Sequence, residues 1–175
     1  ERHEIQRQAI LSGQAHLDKK AIGDFIAGLE YPLYFLDFET IAPAIPIYDE
    51  TRPYEEIPFQ FSLHIVNEKG CKPEHHFYLA EGKVDPRPEV LKKLAELLGD
   101  SGTIVAYNAP YEISCLKRAS DVYTDYQEWF KKIKNRFIDL LIPFKNYDYY
   151  HPGQEGSASM KSVLPALTGE SYTDL

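Results

Sequence analysis

The sequence predicts an α/β domain built on a mixed sheet of about five strands, three antiparallel and the rest added by parallel crossovers, with helices on its faces. Three observations predict it. The runs Tyr31–Thr40, Phe59–Val66 and His75–Leu79 are apolar or alternating and are joined by turn-rich segments, as in hairpin-linked strands. An amphipathic stretch opened by Pro88 then leads to a second buried run, Thr103–Tyr107, which is a helical crossover. At 175 residues, 43% of them apolar, the chain is long enough for one sizeable core and short for two.

Taken in order, Glu4 to about Leu29 reads as a single polar helix, loosely periodic and interrupted at Gly13 and Gly23. It is expected to be a helical linker (residues 1–29) from an upstream region, ahead of a main domain over residues 30–175. The first strand is aromatic and central, with Pro32 at its start. A proline-rich loop follows from Pro43 to Pro58. The turn Asn67–Gly70 joins the next two strands. Val90, Leu91, Leu94, Leu97 and Leu98 line one side of the Pro88 helix, which Gly99 stops. Helices are expected over Pro110–Ser120 and Tyr126–Lys134, a short strand or helix start at Phe137–Ile142, and a last helix from Ser157. Three strands, helix, strand, helices, short strand, helix is the order of the ribonuclease H-like fold, in which the first strand lies beside the fourth.

Composition narrows function. The net charge is −8, so nucleic acid is not held by a broad basic surface; any such contact is local or depends on bound cations. No apolar run approaches the roughly 18 residues of a membrane span, so no membrane partner is expected. Two cysteines, Cys71 and Cys115, make neither a disulfide framework nor a metal motif. A reducing, cytoplasmic setting follows. The chain begins at Glu1 without a signal peptide and reads as a piece of a longer protein.

The strongest chemical signal is Asp37-Phe-Glu39. Residues two apart on a strand share a face, so both carboxylates converge while Leu36 and Phe38 enter the other face. Two like charges in an apolar strand call for a neutralising group, and oxygen ligands suit magnesium or manganese. The alternative is a pair of acids at a strand end held by nearby Arg or Lys. The second signal, Tyr107-Asn108-Ala-Pro-Tyr-Glu112, stands at the exit of the fourth strand. Asn108 suits a helix cap, Pro110 a first turn, and Glu112 the favourable end of the helix dipole. In the sheet described, Glu112 is brought next to Asp37 and Glu39.

These motifs resemble DEDD-type 3′–5′ exonucleases (DnaQ-like). Phe35-Leu-Asp37-Phe-Glu39-Thr40 is similar to their first motif, and Asn108 followed four residues later by Glu112 to their second. Arg136-Phe-Ile-Asp139-Leu and Gly156-Ser-Ala-Ser-Met-Lys161-Ser-Val-Leu resemble later segments. More closely, Tyr31 to Leu175 resembles a bacterial domain of unknown function, number 2779, through Tyr-Phe-Leu-Asp-Phe-Glu-Thr, Arg-Pro-Tyr, Pro-Phe-Gln-Phe-Ser-Leu-His and Tyr-Tyr-His-Pro. That domain tends to follow a RecB-like nuclease region in the same chain. The resemblance implies a nuclease hydrolysing phosphodiester bonds at single-stranded DNA or RNA ends with two Mg2+ or Mn2+ ions. Asp37 would bridge them, Glu39 and Glu112 would complete their shells, Thr40 and Asn108 would contact substrate, and Asp139 would support.

Two features depart from the exonuclease pattern. The second-motif acid is Glu112 where Asp is usual, and the third motif, a Tyr or His four residues before a fourth Asp, is absent. Tyr172-Thr-Asp174 has the wrong spacing; the fourth acid lies beyond Leu175, in a domain truncated at its C-terminal end, or is lost. Two functions therefore stand side by side, a metal-dependent exonuclease and a catalytically impaired nucleic-acid-binding or docking module attached to a RecB-like nuclease.

Other side chains have both a structural and a chemical reading. Arg52 with Tyr48 and Tyr54 suits a nucleotide cradle or a loop pinned to the surface. His151 suits a phosphate or water contact. His64 reads as a satisfied core or edge histidine rather than a base, His75 and His76 face opposite ways, and Lys131–Lys134 reads as a solvated helix face.

Overall fold

A computed structural model describes residues 2–170, which form two compact units: residues 30–139, and residues 2–29 together with 140–170. The single N-terminal helix expected from the sequence is instead two helices with a strand between them. Helix α1 (Arg2–Ser12) ends at Gly13, whose φ of +67° a side chain would oppose. Strand β1 (His16–Leu17) follows and pairs antiparallel with β7 (Tyr149–Tyr150). The Asp18 carboxylate then caps α2 (Lys19–Ala27), accepting the Lys20 and Ala21 backbone N–H groups at 2.9 Å each. The same unit contains α6 (Ile142–Asn146) and α7 (Met160–Thr168).

The larger unit carries the sheet: β2 (Leu33–Ile41), β3 (Ile57–Val66), β4 (Glu74–Leu79), β5 (Thr103–Ala106) and β6 (Phe137–Asp139). Their order is β4-β3-β2-β5-β6. Pairing is antiparallel among β2, β3 and β4 and parallel from β2 to β5 and from β5 to β6. This mixed sheet, flanked by α3 (Arg87–Leu97), α4 (Ala109–Val122) and α5 (Gln127–Ile133), is consistent with a ribonuclease H-like arrangement, as the sequence predicts. The segment Phe137–Ile142 is both things the sequence allowed, since β6 is followed within three residues by α6.

Alternation decides which way β2 faces. Leu36 and Phe38 are buried, and they join Phe61, Leu63, Val90, Leu91, Leu94, Leu116, Ala119, Phe130 and Ile133 in one core. Phe35, Asp37 and Glu39 point to the other, exposed face. Polar clamps fix the surrounding loops. Arg87, only 2% exposed, donates to Asp85 and to the Asp49 carbonyl, and Tyr123 donates its hydroxyl to the same Asp85. Arg136 donates to the carbonyls of Gly99, Ser101 and Gly102 while lying 5.4 Å from the Tyr34 ring centroid. These bonds satisfy carbonyls of the turn that feeds β5.

Gly102 is the point where this turn tolerates no side chain. Its φ is +89°, and a Cβ built there would stand 2.2 Å from the Pro32 carbonyl oxygen. Gly102→Ala is expected to lower unfolding stability by about 2 kcal/mol or more, read as a reduced urea midpoint with unchanged slope. No helix among the described residues is long and apolar enough to cross a membrane. Tyr172 and Asp174 lie outside the described residues.

Candidate active site

Three parallel strands, β2, β5 and β6, end at one edge of the sheet, and each delivers an acid there or just beyond. Open α/β sheets place their ligands at this carboxyl edge, where backbone and side-chain groups converge without filling the core. Strand β2 supplies Asp37 and Glu39, paired across to Ser62 and Gln60 of β3. A bulge between Glu39 and Thr40 follows, which turns the strand as it leaves the sheet. Strand β5 passes through Tyr107 and Asn108 into α4, whose first turn carries Glu112. Strand β6 ends on Asp139, in register with Ala106.

Two hydrogen bonds set the geometry between these strands. The Thr40 hydroxyl and the Tyr111 hydroxyl lie 2.7 Å apart, which ties the end of β2 to the first turn of α4. Asp139 Oδ1 accepts the Asn108 backbone N–H at 2.8 Å. Asn108 does occupy the helix cap position, but its side chain makes no capping bond. Its φ of +70° is left-handed, a conformation Asn accepts more readily than most residues, so its role is to turn the chain. Tyr111 is the site residue that sequence reasoning missed. Its signal was its position beside Glu112 in the first helical turn, which gives no hint of a partner 71 residues away.

The electrostatics are those of crowded acids. Glu112 is only 3% exposed, and its Oε2 is buried with no hydrogen-bond partner among the described residues. Its carboxyl is pushed up to about 7, chiefly by burial, against the opposing effect of its own backbone N–H and with added repulsion from Asp37 and Asp139. Asp37 is raised as well, by partial desolvation and then by Glu39, with the Phe38 backbone N–H opposing. Asp37, Glu39, Glu112 and Asp139 thus form one interacting group. A buried acceptor without a donor is costly, and a divalent cation is the chemical partner that an all-oxygen set fits. As placed, no three His, Cys, Asp or Glu side chains among the described residues form a group able to hold a metal ion.

The remaining candidates lie elsewhere. Arg52 lines an open groove between the proline-rich loop and α4, with Tyr54, Glu50, Glu55, Glu56 and Asp121 around it. Arg118 in that groove is bonded to Glu56 at 2.8 Å, so the acids outnumber the arginines. His151 belongs to the other unit. There its Nδ1 accepts the Gly153 N–H at 3.1 Å and its own N–H donates to Gln154 Oε1 at 2.7 Å, a cap for the 3-10 turn at Pro152–Gln154. The Cys115 thiol is buried and pushed up to about 11, far from an ionised nucleophile at neutral pH. Lys131 is exposed beside Glu128.

No curated protein matches the chain. The family model described as "Domain of unknown function (DUF2779)" matches residues 34–159, a span running from the start of β2, through all four acids, to the edge of α7. Since that span is well over half of the sequence and contains the whole sheet edge, the chain belongs to this DUF2779 family.

Proposed function

We propose that the acidic sheet edge is the active site of a metal-dependent nuclease that hydrolyses phosphodiester bonds in nucleic acid. The observation that supports it most is the buried, unpartnered Glu112 Oε2 coupled to Asp37 across two elements. Packing alone gives no reason to retain such a group, because an apolar residue there would cost less. Asp37, Glu39 and Glu112 are the residues that would hold Mg2+ or Mn2+, with rotation of the two longer side chains toward Asp37. When bound, such ions neutralise the carboxylates, ease deprotonation of water and stabilise charge on the phosphate in the transition state.

The protein's own contributions are separable. β2 fixes Asp37 and Glu39 on one face before any ion arrives, because strand geometry and the buried Leu36 and Phe38 leave them no other direction. The Thr40–Tyr111 bond holds the α4 first turn, and hence Glu112, against the end of β2. Asp139 holds the Asn108 backbone and so the entry angle of α4. The 3′–5′ direction, the single-stranded end and a neighbouring RecB-like nuclease region come only from the exonuclease and family resemblance.

A second reading is a module that keeps the fold and has lost catalysis. It is favoured by the lack of a ready-made metal group among the described residues. Calorimetric titration with manganese separates the two. Binding that Asp37→Asn weakens at least about tenfold is expected for the nuclease. No binding to the unsubstituted chain would leave the impaired module as the better reading.

A further inference from the structure

One face of the sheet is core; the other is covered at Leu33 and along β5, but over the Phe35–Glu39 stretch of β2 and across β3 and β4 it is open, and this open part is built unlike a surface that merely meets water. Register places its side chains in rows across β2, β3 and β4. Phe35, His64 and His75 form one row, Asp37, Ser62 and Phe77 the next, and Glu39, Gln60 and Leu79 the third. Rows two residues apart on a strand are separated by roughly 7 Å, and neighbouring strands by about 5 Å. The acids of the proposed active site therefore share a continuous surface with the rings, about two strand spacings from Phe77.

The rings are already arranged for stacking. His64 and His75 are parallel, with centroids 4.2 Å apart and planes 10° apart, and Phe77 continues the series 5.8 Å from His75. Ser62 Oγ lies 3.1 Å from His75 Nε2 and holds that ring across the pair of strands. Phe77 is 71% exposed and Phe35 38%, both large values for aromatic residues in regular strands. An aliphatic protein-docking face would bury branched side chains instead, and here only Leu79 in the three rows is aliphatic.

We infer that this open face is a stacking platform for the unpaired bases of single-stranded nucleic acid, leading a strand toward Asp37 and Glu39. The inference rests on the nuclease reading of those acids for its direction, but its physics is separate. Unpaired bases offer π-faces that a duplex hides, and every base can stack on an aromatic ring whatever its sequence. No Lys or Arg stands in the three rows, so the affinity should depend only weakly on salt, unlike binding through phosphates.

The test is the affinity of the chain for fluorescent 12-residue oligothymidylate and oligouridylate, measured by anisotropy in EDTA, where hydrolysis is silenced. Phe77→Ala is expected to weaken binding at least about fivefold, and Phe77→Leu, which keeps apolar area and loses the ring, nearly as much. Since Phe77 is on an exposed edge strand, both variants should keep the melting temperature, which checks that the fold is intact. A loss with either oligonucleotide supports the platform, and the responding oligonucleotide names the strand. No binding by the unsubstituted chain, full affinity in Phe77→Ala, or full affinity in Phe77→Leu overturns it. The nuclease reading is tested on Asp37 with metal present, so each of the two ideas fails on its own experiment.

Discussion

Glu112→Gln is expected to stabilise this chain at neutral pH by about 3 kcal/mol, and to have almost no effect at pH 4. The reason is the carboxyl's rise from 4.5 to about 7 in the folded state. Below pH 4.5 the group is protonated in both folded and unfolded chains, so it adds no pH dependence there. Between 4.5 and about 7 the unfolded chain releases the proton while the folded chain keeps it, so stability falls as pH rises. Above about 7 the loss is complete, because the folded chain then carries a buried charge near Asp37 and Asp139. Gln mimics the protonated acid and does not titrate. The measurement is the difference in urea-unfolding free energy between the two proteins at pH 4, 5.5, 7 and 8, in EDTA; taking the difference removes the contribution of other groups such as Asp85, whose lowered value acts in the opposite sense. A variant less stable than the parent at pH 8 would mean that the ionised carboxylate is well satisfied, and the case for an unmet cation at this edge would go with it.

Asp37→Asn should reduce manganese-dependent hydrolysis of a single-stranded oligonucleotide by more than about 100-fold. Removing a group that merely supports a metal ligand already costs about 10- to 100-fold, and Asp37 is proposed as a residue that would hold the metal directly. The substitution keeps size and shape and removes one charge from a residue exposed on the sheet face, so the fold should be unaffected. A melting curve in EDTA provides that control, and a slightly higher melting temperature is the expected direction, because Asp37 and Glu39 repel. Retained full activity in the variant would end the catalytic assignment and leave the ribonuclease H-like sheet untouched.

The two predictions meet at one physical point. The acids of this edge repel one another, and on the proposed metal reading a bound cation would remove that repulsion. A stabilising effect of manganese at pH 8 that disappears in either variant would show both consequences in a single set of unfolding curves.

The sequence by itself determined the sheet and the direction of its acids. Strict alternation in Leu36-Asp37-Phe38-Glu39 leaves one face for the apolar pair and the other for the carboxylates, whatever packs around them. The hairpin-linked strands and the helical crossover before Thr103 then fix a central first strand, since chain connections are short and crossovers have one hand. Period and turn chemistry are local properties, so they are legible without a structure.

What tertiary structure decided are the features whose cause lies far along the chain. The paired strands at His16–Leu17 and Tyr149–Tyr150 are two residues each, too short to carry a period, and residues 4–29 consequently read as one helix. Thr40 and Tyr111 meet only because β2 and β5 run parallel, and Asp139 holds Asn108 only because β6 adds beyond β5. The protonation of Glu112 is likewise a property of its burial, not of its neighbours in sequence. Desolvation and long-range pairing depend on which surfaces finally cover one another, and that information is absent until the chain has folded.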